Sequence, residues 1–136
     1  WNIHKVALWS AYGRTPFFEY YIDELMPYLQ PRDGVQPESL MDLNTGIDAI
    51  IRRIAGIESN IRYELTQTEK ELIDKKDCLI SDYRNSNFDL LHPIEYYQVR
   101  ASQQGFIPNL TMLDLIFNMG PETPLVLKKI IEKNIL

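Results

Sequence analysis

Residues Gly105–Glu122 read G-F-I-P-N-L-T-M-L-D-L-I-F-N-M-G-P-E and contain one complete apolar helix with the signals that start and stop it. Thr111 can cap the helix, and Asp114, three residues later, completes the T-x-x-D variant of a capping box. The apolar residues that follow leave almost no polar face, which predicts a helix over 111–119 that is buried on most sides. Gly120 supplies the left-handed residue that ends it, and the next residue, a proline, cannot continue it.

Four further helices are predicted from apolar residues at helical spacing together with start and stop signals. Gly13 closes the first of these helices, and Thr15 caps the second, which opens with Pro16. Gly56 ends the third, and Thr123 caps the last, which has a proline at its first helical position. The predicted bounds are 2–12, 16–29, 39–55 and 123–134.

Two short strands complete the prediction. Residues 61–66 alternate apolar and polar side chains, which is typical of a half-buried strand, and the partner of this strand lies either outside this chain or in the extended run at 95–99. The predicted fold class is therefore mainly α, with about five helices and one or two short strands. The length of 136 residues fits a single domain spanning 1–136.

Composition limits the classes of function. The net charge of −5 opposes binding to nucleic acid, which requires a basic surface. No apolar run approaches the ~18 residues needed to cross a bilayer, so no membrane span is predicted. The chain has one cysteine, which excludes an intramolecular disulfide and favours a cytoplasmic location.

Four segments, taken in order, resemble the C-terminal two-thirds of the WbqC-like protein family. The segment at 105–122 is the most specific of them. The other three are W-N-I-H-K at 1–5, A-Y-G-R-T-P-F-F-E-Y-Y at 11–21 and L-M-D-L-N at 40–44.

The resemblance implies a fragment and a general function. The family has an N-terminal part that is not found here, and the chain begins at Trp1 inside a predicted helix, so we expect a C-terminal piece of a larger α/β domain. WbqC-like proteins are encoded among bacterial surface-polysaccharide genes and are described as possible transferases. The resemblance therefore implies a transferase-related role in O-antigen-type glycan biosynthesis, with a small molecule or glycan precursor as ligand.

No strong catalytic motif is present in the sequence. There is no Gly-rich phosphate loop, no nucleophile elbow and no Cys-x-x-Cys, so the reaction and any cofactor stay unknown. The two histidines, His4 and His92, are too few for a zinc site, and no metal site is predicted.

Asp114 is the most interesting carboxylate because its neighbours along the helix are apolar, and a desolvated carboxylate must be paired, hydrogen-bonded or protonated. It can be a general base or a ligand anchor. The simpler interpretation is the capping box with Thr111. Asn109 and Asn118 divide in the same way, between cap or turn residues and polar groups of a site.

His4, Tyr12 and Arg14 form a second candidate site. His4 and Tyr12 are eight residues apart and lie near one helix face, and the Arg14 guanidinium can bind an anion. Asp42 and Asn44, at the start of the third helix, can face the same joint. The alternatives are a solvated helix end for the first group and first-turn residues favoured by the helix dipole for the second.

A third candidate group precedes the helix at 111–119. Tyr97, Gln98 and Arg100 place a phenol, an amide and a guanidinium within four residues, as in loops that line ligand clefts. A surface tyrosine explains them nearly as well. The alternative function for the whole chain is a non-catalytic helical interaction subunit or oligomer, whose apolar faces pack on a partner.

Overall fold

The structure is a computed structural model of the chain and describes residues 2–30, 39–58, 61, 66–68 and 92–135. The chain divides into two compact units, one formed by Trp1–Glu58 with Pro93–Leu136 and the other by Ser59–His92. All of the helices given below lie in the first unit. The prediction of one domain, or of the C-terminal part of one, stays a prediction.

The first unit is mainly helical, which confirms the predicted fold class. Its described residues form five helices of eight residues or more and one helix of four residues. A 3₁₀ turn at Gly120–Glu122 joins the last two helices. The helices are α1 (Asn2–Tyr12), α2 (Phe18–Leu29), α3 (Leu40–Ala55), α4 (Ala101–Gln104), α5 (Met112–Met119) and α6 (Thr123–Ile135). In the part of the chain that the structure describes, none of them has the length and apolarity to span a membrane.

The joint between α1 and α2 differs from the prediction. Helix α2 begins at Phe18, and its N-cap, Phe17, makes no side-chain cap hydrogen bond. The Thr15 hydroxyl instead donates to the Tyr12 carbonyl at 2.7 Å, so Thr15 closes α1 and does not cap α2. At the start of α6, the Thr123 hydroxyl is buried without a hydrogen-bond partner among the described residues, so its predicted capping bond is also wrong.

The predicted strand at 95–99 is wrong, because residues 92–98 are irregular and a turn at 99–100 leads into α4. Side chains satisfy part of this backbone, since the Val99 N–H donates to Asn118 Oδ1 at 3.0 Å. No strand is present in the described ranges, so the segment has no neighbouring ladder to join. Most of the other predicted strand, 62–65 of 61–66, lies outside the described residues.

Helix α5 lies at the centre of the core and packs against both α2 and α3. Its Phe117 is fully buried, and its ring centroid lies 5.0 Å from that of Phe18 and 5.2 Å from that of Tyr12. Gly120 ends α5 with a positive φ of 51°, but its ψ of −122° lies outside the left-handed helical conformation that the sequence predicts. A Cβ at this position would lie 2.5 Å from the Phe17 ring, so both the space and the backbone require glycine.

Candidate functional site

The Asp114 carboxylate, in the first turn of α5, turns away from the helix end. Asp114 is only 7% exposed, and its Oδ2 accepts hydrogen bonds from the Tyr96 hydroxyl at 2.7 Å and from Gln98 Nε2 at 3.2 Å. The N-cap, Thr111, makes no side-chain cap hydrogen bond. The predicted capping box is therefore wrong, because two donors from a distant part of the chain bind the carboxylate.

Two buried amides hold that distant segment on α5. Gln98 is bound to Ile107 at both ends, since Nε2 donates to the Ile107 carbonyl at 2.9 Å and the Ile107 N–H donates to Oε1 at 3.0 Å. Asn118 accepts from the Val99 N–H, as described above, and its Nδ2 donates to the Asp114 carbonyl at 2.8 Å. These bonds use the polar atoms of both amides within the protein, so Gln98 and Asn118 position the site rather than offer free groups to a ligand.

A small cavity of about 80 Å³ lies where these groups meet α1. That volume holds a few water molecules or a small polar group and is well below the ~300–1,000 Å³ of pockets that enclose a whole drug-sized ligand. Arg100 is exposed at the cavity, and its guanidinium donates to the Ser10 carbonyl at 2.8 Å. The polar side chains that line the cavity include those of Tyr12, Gln98, Arg100, Asp114 and Asn118.

Two tyrosines beside Asp114 are kept neutral. Burial raises the pKa of Tyr12, and the nearby Asp114 charge raises it further, although a hydrogen bond from Thr111 acts in the opposite direction. Burial also raises the pKa of Tyr96 well above its usual value, and the hydrogen bond to Asp114 adds to the increase. Both phenols therefore stay protonated at a pH where a free tyrosine ionises, and Tyr96 serves as a donor to the carboxylate.

The two oxygens of Asp114 have different surroundings. Oδ2 accepts from Tyr96 and Gln98, whereas Oδ1 accepts no hydrogen bond from the residues that the structure describes. Asp114 lines the cavity, and Oδ1 is the oxygen of its carboxylate that has unused acceptor capacity. The site can therefore bind a hydroxyl or an amine that donates to Oδ1.

The structure brings together residues from the three candidate groups that were predicted from the sequence as separate sites. Tyr12, Gln98, Arg100, Asp114 and Asn118 all line the cavity.

The other predicted residues do not line this cavity. His4 and Arg14 are exposed on and just after α1. Asp42 is exposed and accepts from the Ser39 hydroxyl at 2.7 Å, and Asn44 is exposed on α3. Asn109 has a φ of 56° in an exposed loop.

The sequence prediction missed Tyr96 and chose its neighbour Tyr97, which is 56% exposed. Residues two apart share a face when a segment is extended, and Tyr96 and Gln98, which have that spacing, both donate to the Asp114 carboxylate. That parity was a usable signal once Gln98 had been selected.

The fold and the cavity define a class: a mainly helical protein with a buried carboxylate in a small polar cavity. In the described part of the chain, no group of three or more His, Cys, Asp or Glu side chains is placed to hold a metal ion. Comparisons with protein-family models, with curated proteins and with solved structures found no match for the chain. Membership of the WbqC-like family therefore stays a prediction.

Proposed function

We propose that the chain carries the acceptor-binding site of a cytoplasmic, transferase-related protein of the WbqC-like type, acting in bacterial surface-glycan biosynthesis. One observation carries the proposal: the buried Asp114 carboxylate has Oδ2 held by two donors and Oδ1 without a donor among the described residues, beside a cavity. The glycan context rests on the sequence resemblance alone.

The arrangement suits the activation of a nucleophile. Tyr96 and Gln98 fix the carboxylate orientation, so Oδ1 is presented to a hydroxyl or amine in the cavity. As that group attacks, it forms a bond to the transferred group, the bond to the leaving group breaks, and the acceptor proton passes to Oδ1. Arg100, at the exposed side, can bind an anionic part of a ligand that is too large for the cavity.

The test compares Asp114→Asn with Asp23→Asn, a control at an exposed carboxylate on α2. An asparagine at 114 can accept from Tyr96 and Gln98 through its oxygen and then presents an NH₂ group to the cavity, so the free acceptor becomes a donor. Nucleotide sugars, free amino sugars, acyl donors and aminoacyl donors are titrated, with thermal shift and calorimetry as the readouts. We expect saturable binding of at least one class by the wild type and by the control, and at least about 10-fold weaker binding by Asp114→Asn.

Equal affinity of Asp114→Asn and Asp23→Asn for the compounds, or no saturable binding of any class of compound, would contradict the proposal.

The second candidate function, an interaction subunit or oligomer, is favoured by apolar side chains that are exposed on α1. Ile3 and Val6, one helical turn apart, are 81% and 66% exposed. A chain that binds none of the compounds but has a concentration-dependent mass in light scattering would support this second function instead.

A further inference from the structure

An open groove of about 440 Å³ is lined in part by Tyr96 and is distinct from the small cavity. It runs along the irregular segment before α4 and reaches Phe106. The two spaces share Gln98 and Val99 in their linings, so one short segment of chain forms a wall of both. The volume of the groove lies within the ~300–1,000 Å³ typical of small-molecule sites.

Three aromatic rings line this groove. Tyr96 and Phe106 pack edge to face with their centroids 5.4 Å apart, and Tyr97 is 56% exposed beside them. The hydrogen bond from the Tyr96 hydroxyl to Asp114 fixes one of these rings, so the aromatic surface is preorganised. Exposed rings provide flat apolar faces on which the C–H face of a ring-shaped ligand can pack.

Polar groups lie at the same groove and indicate which ligand fits. Glu95 and Ser102 are exposed and add a carboxylate and a hydroxyl to the lining. A carboxylate accepts hydrogen bonds from ligand hydroxyls and repels a phosphate, and no lysine or arginine is among the described residues that line the groove. The groove therefore favours a neutral ligand with an apolar face and hydroxyl groups at its edge.

We propose that this groove is a binding subsite for a neutral pyranose, which packs on Tyr97 and donates hydroxyl hydrogen bonds to Glu95. The subsite deepens the proposed function and rests on it, since it names a sugar as the part of the substrate that lies outside the Asp114 cavity.

The experiment uses the whole chain and neutral methyl glycosides of glucose, mannose and N-acetylglucosamine, with saturation-transfer NMR titrations as the readout. Tyr97→Ala removes the exposed ring, and Tyr20→Ala is the matched control, since Tyr20 is 75% exposed on α2, away from the groove. We expect saturable binding of at least one glycoside, about 5-fold weaker or more in Tyr97→Ala and unchanged in Tyr20→Ala. Glu95→Gln keeps the shape of the side chain and is expected to weaken binding about 2-fold or more.

Two outcomes would overturn the proposal: no saturable binding of any methyl glycoside, or equal binding by the two tyrosine variants. Failure here is distinguishable from failure of the proposed function. If Asp114→Asn abolishes binding of the sugar, acyl and aminoacyl compounds named for the proposed function while Tyr97→Ala leaves it unchanged, the proposed function is supported and the sugar subsite in the groove is not. If the glycosides bind in a Tyr97-dependent way and Asp114→Asn has no effect on any compound, the groove stands without the proposed function.

Discussion

The starts of α3 and α5 carry the same local pattern and use it differently. Helix α3 begins after Ser39, whose hydroxyl oxygen accepts from the Asp42 N–H at 3.1 Å and whose O–H donates to the Asp42 carboxylate. Helix α5 begins after Thr111, which makes no side-chain cap bond, while Asp114 is bound by Tyr96 and Gln98. Both pairs have the spacing S/T-x-x-D. The pattern therefore shows that a carboxylate is able to take part in a helix cap. Whether it does so depends on hydrogen-bond donors from other parts of the chain.

Burial explains the difference between the two helix starts. Asp42 is exposed, so water competes for its carboxylate and a local cap is the best partner it has. Asp114 is buried, so its carboxylate must find strong donors, and a neutral phenol together with an amide supplies them. A helix start without a side-chain cap, whose carboxylate instead accepts from donors far along the chain, is typical of a position with a function beyond stabilising the helix.

The largest expected effect separates the two aspartates. Asp114→Ala leaves the half-buried Tyr96 hydroxyl and one buried Gln98 donor without their acceptor, so we expect a loss of about 3 kcal/mol in the free energy of unfolding. Asp42→Ala removes an exposed first-turn carboxylate, and we expect a loss of about 0.5 kcal/mol. Urea unfolding followed by circular dichroism measures both. Equal losses in the two variants would show that the buried bonds contribute no more than the cap does.

A smaller difference in the free energy of unfolding is expected between alanine variants of the hydroxyl residues Ser39 and Thr111. Here the larger loss is expected at the start of α3 rather than at the start of α5. Ser39→Ala removes a real N-cap and should cost about 1 kcal/mol. Thr111→Ala removes an exposed hydroxyl that bonds Tyr12 but caps nothing, and we expect about 0.5 kcal/mol. The same unfolding measurements apply. A larger loss for Thr111→Ala than for Ser39→Ala would mean that the threonine caps α5 in solution after all.

The sequence predicted the parts of the fold whose signals are local. The spacing of apolar residues, together with Gly56 and Gly120, located all five longer helices. Each of these signals affects only the backbone within a few residues along the chain. The site depends on pairs that no local pattern contains. Tyr96 and Gln98 are 18 and 16 residues from Asp114 in the sequence, and their approach depends on how the segment before α4 packs on α5. The strand predicted at 95–99 failed for the same reason, since the described residues contain no neighbouring strand and the α5 side chain of Asn118 accepts from the Val99 N–H instead.

At alkaline pH we expect the free energy of unfolding to fall, whereas at neutral pH we expect no change from the same groups. The pKa values of Tyr12 and Tyr96 are raised in the folded protein, so both stay protonated there while the unfolded chain ionises near pH 10. The unfolded state then binds fewer protons than the folded state, so the free energy of unfolding falls as the pH rises above about 10. Below that pH both states are protonated and these groups have no effect. Absorbance at 295 nm should show that Tyr12 and Tyr96 ionise above the pH at which a free tyrosine does.

The same titration sharpens the comparison of the two aspartates. Asp114→Asn removes a negative charge next to both phenols, so Tyr96 should ionise at a lower pH than in the wild type, although burial, the largest cause of its raised pKa, remains. Asp42→Asn should leave the titration unchanged, because Asp42 is exposed and contributes to neither shift. Tyr96→Phe removes one late-ionising group and identifies its contribution. If Asp114→Asn has the same titration curve as Asp42→Asn, the carboxylate does not act on Tyr96, and the hydrogen bond that distinguishes the start of α5 from that of α3 is not formed in solution.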